Sequence, residues 1–394
     1  MKRTELEQWV LATGRAVQRN GATFLCDPGW SLSEQALVAR LQGSADAAGD
    51  RDTGWLCLPT GGTSGGLRFT RHDERTLAAS IAGFCAHFGV DQVNALDVLP
   101  AHHVSGLMAR IRCAATGGEH VAWSWKQLEA GEWPALGTKA DGWFLSLVPT
   151  QLQRLLGNDA AVRMLERFRA VFVGGGPVWG ELADSAAAAG VPVVTAYGMT
   201  ETGAMVAAQL PADFAAGDRS CGKPLPHARV EVVDDGTGEI VPPGVTGVVR
   251  ISGESLFRGY WPQRSNTQSL LTGDLGRFDA RGRLTVLGRR DAVIITGGKK
   301  VHPAEVEAAL RASGEFSDVA VIGVPDPQWG SAVVACYPQG ARAPDQGKVE
   351  AAIAALAAYK RPKKILGISP WPTNSVGKLN RAALAAAAAS EVCH

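Results

Sequence analysis

Short apolar runs that each end in turn residues recur through the first two thirds of the chain: VNALDVLP, WFLSLVP, RAVFVGGGP and VPVVTAYG. Runs of this length, bounded by Gly, Pro and Asp, read as buried strands. Between them lie stretches with a helical period, such as ERTLAASIAGFCAHFG and PTQLQRLLGNDAAVRMLERF. Strands that alternate with helices bury both faces of a mostly parallel sheet, so this region is of the α/β class, a parallel sheet flanked by helices. From about Ser220 the texture changes. ARVEVVDD, GVVRISG and GRLTVLG are joined by turns with no helical period between them, which predicts a small antiparallel sheet or barrel over 220–288. After this a compact α+β module begins, with the strand AVIIT, the helix PAEVEAALRAS, the strand pair DVAVIGVP and SAVVACYP, the helix QGKVEAAIAALAAY, a basic loop KRPKK and an alanine-rich end. The expected organisation is a large N-terminal domain, 1–288, and a small C-terminal domain, 289–394. At 394 residues the chain is long enough for both cores.

The segment LPTGGTSGGLRFT sits between two of these strands, WLCLP and LRFT. Its glycines expose backbone N–H groups, and Thr60, Thr63 and Ser64 add hydroxyls. Such a loop wraps an anion, phosphate above all, and Arg68 supplies a charge-assisted donor where it ends. A flexible hairpin turn is the alternative. The loop lacks the GK[ST] ending of a Walker A sequence. It opens a strand rather than a helix, which excludes a dinucleotide fingerprint. Gly62-Thr63-Ser64-Gly65-Gly66 fits GxSxG, yet a nucleophile elbow must turn into a helix, so a serine hydrolase is a weak rival.

Net charge is +1, which gives no argument for nucleic acid or an anionic membrane as partner. No apolar run is long enough to span a bilayer. The N-terminus MKRTELEQWVLATGR lacks the apolar core of a signal peptide. Seven scattered cysteines with no CxxC pair argue for reduced thiols in a cytoplasmic protein.

Four later segments join the glycine loop: VFVGGGP, AYGMTETG, LTGDLGRFDARGRLTVLGRRDAVIITGGKKVHPAEVE and TNSVGKLNR. In this order, from about Trp55 to Arg381, the set resembles the adenylate-forming superfamily of acyl- and aryl-CoA ligases, luciferases and adenylation domains. Any one of the segments is weak alone: Thr200 and Glu201 also suit a first helical turn, Asp274 also suits a turn, and Lys378 also suits a solvated basic tail. The resemblance implies ATP, Mg²⁺ and coenzyme A as cofactors. The loop residues Thr60, Gly61, Gly62, Thr63, Ser64, Gly65 and Arg68 would grip the β,γ-phosphates. Gly174, Gly175, Gly176, Pro177 and Ala196 would wall the adenine pocket, with Tyr197 stacking, and Gly198 and Met199 would also bind the nucleotide. Thr200 would contact the α-phosphate, and Glu201 would be the magnesium ligand. Asp274 would receive the ribose hydroxyls with Arg289 nearby. Lys378 would bridge carboxylate and α-phosphate as charge develops in adenylation. The small domain would then rotate about a hinge at Asp291, so that Gly297, Gly298 and Lys299 guide the pantetheine of coenzyme A.

Two departures stand out. The family's loop reads like TSGTTGxPKG, whereas here Gly61 replaces a serine and Arg68 stands at the lysine position. Only about 55 residues precede the loop, which suggests an N-terminally shortened first subdomain. Within the superfamily, LPAHHVSGL, SLVPTQLQRLL and GGGP look most like the o-succinylbenzoate-CoA ligases of menaquinone and phylloquinone synthesis. Their substrate is a dianionic aromatic keto acid, for which His103, Ser105, Gly175 and Thr202 are the candidates. His102-His103 is otherwise a strand-end pair with no ligand role, and it makes no metal case by itself. Another small aryl- or acyl-CoA ligase, and a non-catalytic nucleotide-binding relative, are the competing expectations. The oligomeric state is left open between monomer and homodimer.

Overall fold

The computed structural model describes residues 1–45, 53–61, 67–136, 142–176, 178–265, 267–316, 318–340, 343–373 and 379–392. They form two compact units, one of residues 1–178, 182–272 and 276–286, the other of residues 179–181, 273–275 and 287–394.

The first unit is built on a seven-stranded sheet. From Val193–Met199 the strands Ala170–Val173, Trp143–Leu147, Asn94–Asp97 and His120–Ala122 follow one another in parallel. On the other side Ala204–Ala208 and Lys223–Pro224 complete it antiparallel. The expected parallel strands are therefore all present. Helix Glu74–Phe88 shows how sequence sets an element. Asp73 accepts from the N–H groups of Arg75 and Thr76, and Gly89, at φ 61°, ends the helix in the left-handed region. Its buried stripe includes Leu77, Ile81, Phe84 and Phe88. Phe84, Phe88, Phe144 and Phe172 meet mostly edge to face, and each buried aromatic ring is worth several kcal/mol, roughly 3–5 on truncation. PTQLQRLLGNDAAVRMLERF is helical as expected. It forms two helices, Pro149–Leu156 and Asp159–Leu165, because Gly157 interrupts the first and Asn158 caps the second.

A smaller four-stranded sheet holds Ala16–Arg19, Ala22–Leu25, Leu56–Thr60 and Arg68–His72. The last two strands pair antiparallel with Thr60 opposite Arg68, so the two ends of the glycine-rich connection are held side by side. Another sheet runs Ala228–Val233, Gly247–Gly253, Ser269–Phe278 and Leu284–Arg289, in the region where an antiparallel sheet or barrel is expected.

The second unit contains the hairpin Ile294–Thr296/Lys299–Val301, turned at Gly297 and Gly298. It also holds the helices Pro303–Arg311, Gln346–Ile353 and Arg381–Val392. A three-stranded sheet runs Ala320–Asp326, Gly330–Pro338 and Lys364–Ile368. Its core gathers Val301, Val306, Leu310, Val321, Val333 and Val349. Buried Glu307 accepts from Val321 N–H at 2.9 Å and from Arg381 at 2.6 Å. Lys364–Ile368 pairs parallel to Gly330–Pro338, so a strand follows directly on the segment that reads as a basic loop. Among the described residues, no helix is long and apolar enough to cross a membrane.

Candidate functional site

The carboxyl ends of parallel strands are where open α/β sheets bind ligands. Three sequence-derived segments leave the seven-stranded sheet at that edge. Gly174–Gly176 follows the strand Ala170–Val173 as a largely exposed loop. His103 precedes the helix Val104–Thr116, with Ser105 in its first turn. One turn of 3-10 helix, Thr200–Thr202, follows the strand Val193–Met199.

That turn is fixed from both sides. His72, on the strand Arg68–His72, places Nε2 2.8 Å from the Thr200 carbonyl. A carbonyl only accepts, so the neutral ring carries its proton on Nε2, with Nδ1 3.1 Å from the Thr76 hydroxyl. Burial pushes the His72 pKa down to about 4, which keeps the ring neutral. Ser80, on helix Glu74–Phe88, donates to the Gly203 carbonyl at 2.8 Å. Gly198 is required where the chain doubles back, since a Cβ there would lie 2.1 Å from the Ala204 carbonyl oxygen. Ala204 itself holds φ 98°, a strained value for an L-residue that these contacts sustain.

Glu201 is held by this clamp and is 8% exposed. Its Oε1 accepts from the Tyr260 hydroxyl at 2.8 Å. Burial first, and then the Glu201 charge, push the Tyr260 pKa upward, so the phenol stays a donor. The Arg68 guanidinium stacks 4.2 Å above the same tyrosine ring. Arg68, Tyr260 and Glu201 thus form a row of cation, ring and anion between the end of the glycine-rich connection and the clamped turn. Tyr260 bridges the strand Arg68–His72 at Thr70, which brings a residue remote in sequence into the row.

Of the other first-unit candidates, Thr60 is half-buried at its strand end and Gly61 is exposed. Ala196 and Met199 are half-buried, while Tyr197, 8% exposed, packs with Val206, Val230, Val249 and Ile251, its hydroxyl 3.5 Å from Thr272. Thr202, expected at the substrate, lies inside the turn. Its side chain is 0% exposed, and its hydroxyl accepts from Met199 N–H at 3.1 Å and faces the Ala204 carbonyl at 2.7 Å, so it builds the turn. The two histidines precede a helix instead of ending a strand. His102 is buried with Nε2 3.4 Å from Asp27, its ring 4.4 Å from that of His103. Gly62, Thr63, Ser64, Gly65, Pro177 and Lys378 lie outside the described residues.

In the second unit, Arg289 approaches Asp274 at 3.7 Å and pairs with Asp291 at 3.1 Å. Gly297 and Gly298 form an exposed turn, and Lys299, also exposed, opens the strand after it. A separate cleft of about 1140 Å³ in the first unit, lined in part by Asp73, Glu74, Arg75 and Arg258, includes none of these candidates. Its Arg258 is already paired with Asp73 at 2.9 Å.

His72, Ser80 and Tyr260 went unread in the sequence. The Gly-Tyr-Trp of RGYW is the signal that could have found Tyr260, an aromatic pair after glycine outside any period.

The family model described as "AMP-binding enzyme" matches residues 15–261, and "AMP-binding enzyme C-terminal domain" matches 305–378. The 2-succinylbenzoate–CoA ligase of Geobacillus kaustophilus is 33% identical over 296 residues, 73% of this chain and 59% of that protein. The indoleacetate–CoA ligase of Aromatoleum aromaticum is 31% identical over 369 residues, 90% of this chain and 71% of that protein. Among solved structures, the o-succinylbenzoate CoA synthetase of Bacillus subtilis in complex with the acyl-adenylate OSB-AMP matches with TM-score 0.75 and 26% identity, over 91% of this chain and 77% of that one. ATP-bound MatB from Rhodopseudomonas palustris matches with TM-score 0.74 and 26% identity, over 89% and 71%. The chain therefore spans 59% of the Geobacillus relative's length and more of the others.

Proposed function

We propose, for a chain that belongs to the AMP-binding enzyme family, that it joins a carboxylic acid to coenzyme A at the expense of ATP, and that the acid is o-succinylbenzoate. The row Arg68–Tyr260–Glu201 carries this reading, because it presents a cation and a carboxylate to one triphosphate.

The reaction joins two anions, so the site must screen charge and hold the attack in line. The acid's carboxylate oxygen bonds to the α-phosphorus, the bond to the β-phosphate oxygen breaks, and pyrophosphate leaves. Arg68 and the loop Thr60–Gly65 bind the departing phosphates. Glu201 fits a magnesium site of the kind that uses few protein ligands. One oxygen is occupied by Tyr260, and among the described residues no cluster of three acidic, histidine or cysteine ligands is present. Bound there, the ion would screen the phosphate oxygens. His72 and Ser80 keep the turn, and so the Glu201 carboxylate, in place. Lys378 would stabilise the charge that grows between carboxylate and α-phosphate. In the second half-reaction the sulfur of coenzyme A attacks the acyl carbon, AMP leaves, and the thiol proton passes to solvent. The second unit would turn about Asp291 between the halves, with Asp274 and Arg289 at the ribose and Gly297–Lys299 along the pantetheine. His103, Ser105 and Gly175 line the acid's pocket. Reduced thiols at Cys26, Cys57, Cys85, Cys113, Cys221 and Cys336 agree with a cytoplasmic enzyme.

The match to an indoleacetate–CoA ligase across 90% of the chain favours a second reading, an aryl-acid ligase of different specificity. Thioester and AMP formation with o-succinylbenzoate, indoleacetate and benzoate separates the two. The leading reading expects the highest kcat/KM for o-succinylbenzoate, and a preference for indoleacetate replaces it with the second.

A further inference from the structure

Arg112 lies on the helix Val104–Thr116 and is 5% exposed. Its guanidinium rests 4.3 Å above the Phe84 ring. Among the described residues its side chain forms no ion pair, and Nε and Nη2 have no hydrogen-bond partner. Those two N–H groups are the side fork of the guanidinium, the edge that meets both oxygens of a carboxylate. Burial lowers the Arg112 pKa to about 10, which leaves it charged at neutral pH. Beside it stands His227, whose ring sits so close to Gly83 that a Cβ there would fall 1.8 Å from Nδ1. Burial first, and then the Arg112 charge, hold that ring neutral, with a pKa near 4.

A buried cation without an anion is costly, and proteins keep such groups paired. No carboxylate among the described residues meets this one, which points to an anionic ligand as its partner. The helix indicates the route. Ser105, Ala109 and Arg112 stand at i, i+4 and i+7 and share one face. Seven residues carry that face roughly 10 Å, from the carboxyl edge of the sheet down to the guanidinium. Ala109 puts only a methyl group between them. We propose that Arg112, with Phe84 beneath it and His227 beside it, is the subsite for the second carboxylate of a dicarboxylic acid substrate. The inference rests on the reading that the chain activates such an acid.

Calorimetric binding without ATP tests it on the full chain, using o-succinylbenzoate and 3-benzoylpropionate, the same acid without its aromatic carboxyl. Wild-type protein should bind the dicarboxylate at least tenfold more tightly, and Arg112→Met should bring that ratio close to one. Arg112→Lys, which keeps the charge and loses the fork, should fall between. Ligand-free Arg112→Met should melt no lower than wild type, because an unpaired buried charge has been removed. A ratio that survives in Arg112→Met, or a variant that melts lower, overturns the subsite. Wild-type protein that binds neither acid refutes the o-succinylbenzoate reading instead, and the melting comparison still decides Arg112.

Discussion

Tyr260→Phe isolates one hydrogen bond. The ring stays, and with it the surface on which Arg68 stacks at 4.2 Å, while the hydroxyl 2.8 Å from Glu201 is lost. A hydrogen bond to a charged group is worth roughly 1.5–3 kcal/mol. Glu201 is 8% exposed, so little water replaces the lost donor, and the effect should fall in the upper half of that range. Urea unfolding of the ligand-free protein measures the cost. In a Glu201→Ala background the acceptor is already absent, and Tyr260→Phe should then cost less than about 0.5 kcal/mol, for a coupling energy of about 1.8–3 kcal/mol. The bond also fixes the carboxylate's orientation, so Tyr260→Phe should raise the magnesium concentration needed for half-maximal activity by roughly tenfold. Costs that add within about 0.5 kcal/mol would show that the tyrosine and the carboxylate do not support one another, and the positioning argument would fail.

Lys378→Ala should abolish acyl-AMP formation while thioester formation from preformed acyl-AMP continues; equal loss in both assays would contradict the division of labour between half-reactions. Stability should fall on acidification. His72 and His227 have folded pKa values of about 4 against 6.5 for a free imidazole side chain, so between these values the unfolded chain binds protons that the folded chain does not. The stability present above pH 6.5 is therefore lost as pH falls toward 4, by roughly 1.4 kcal/mol per pH unit for each histidine. Urea midpoints at pH 7 and pH 5 check this, and equal midpoints would mean that neither ring is held neutral.

Apolar runs ending at turns were legible as strands because burial on both faces leaves a continuous signal, as in Ala170–Val173 and Val193–Met199. The strands that end at Thr60 and begin at Arg68 were legible because a glycine-rich stretch separates two short apolar runs. What stayed hidden depends on contacts between remote segments. Tyr260 meets Glu201 across 59 residues, and His72 meets Thr200 across 128. No periodicity encodes such a pairing. The place of Thr202 was hidden for a related reason: its hydroxyl is taken up by the turn, which only the folded chain shows. The strand Lys364–Ile368 was hidden by its charged approach, since lysines suggest solvent and only the parallel partner shows an edge strand.

Isotope exchange between pyrophosphate and ATP without coenzyme A tests adenylation most directly, because it reports acyl-AMP formation alone. The expected result is exchange that requires magnesium and o-succinylbenzoate and is lost in Glu201→Ala. Exchange that proceeds unchanged in Glu201→Ala, or its absence with every carboxylic acid tried, would contradict the assignment of this site.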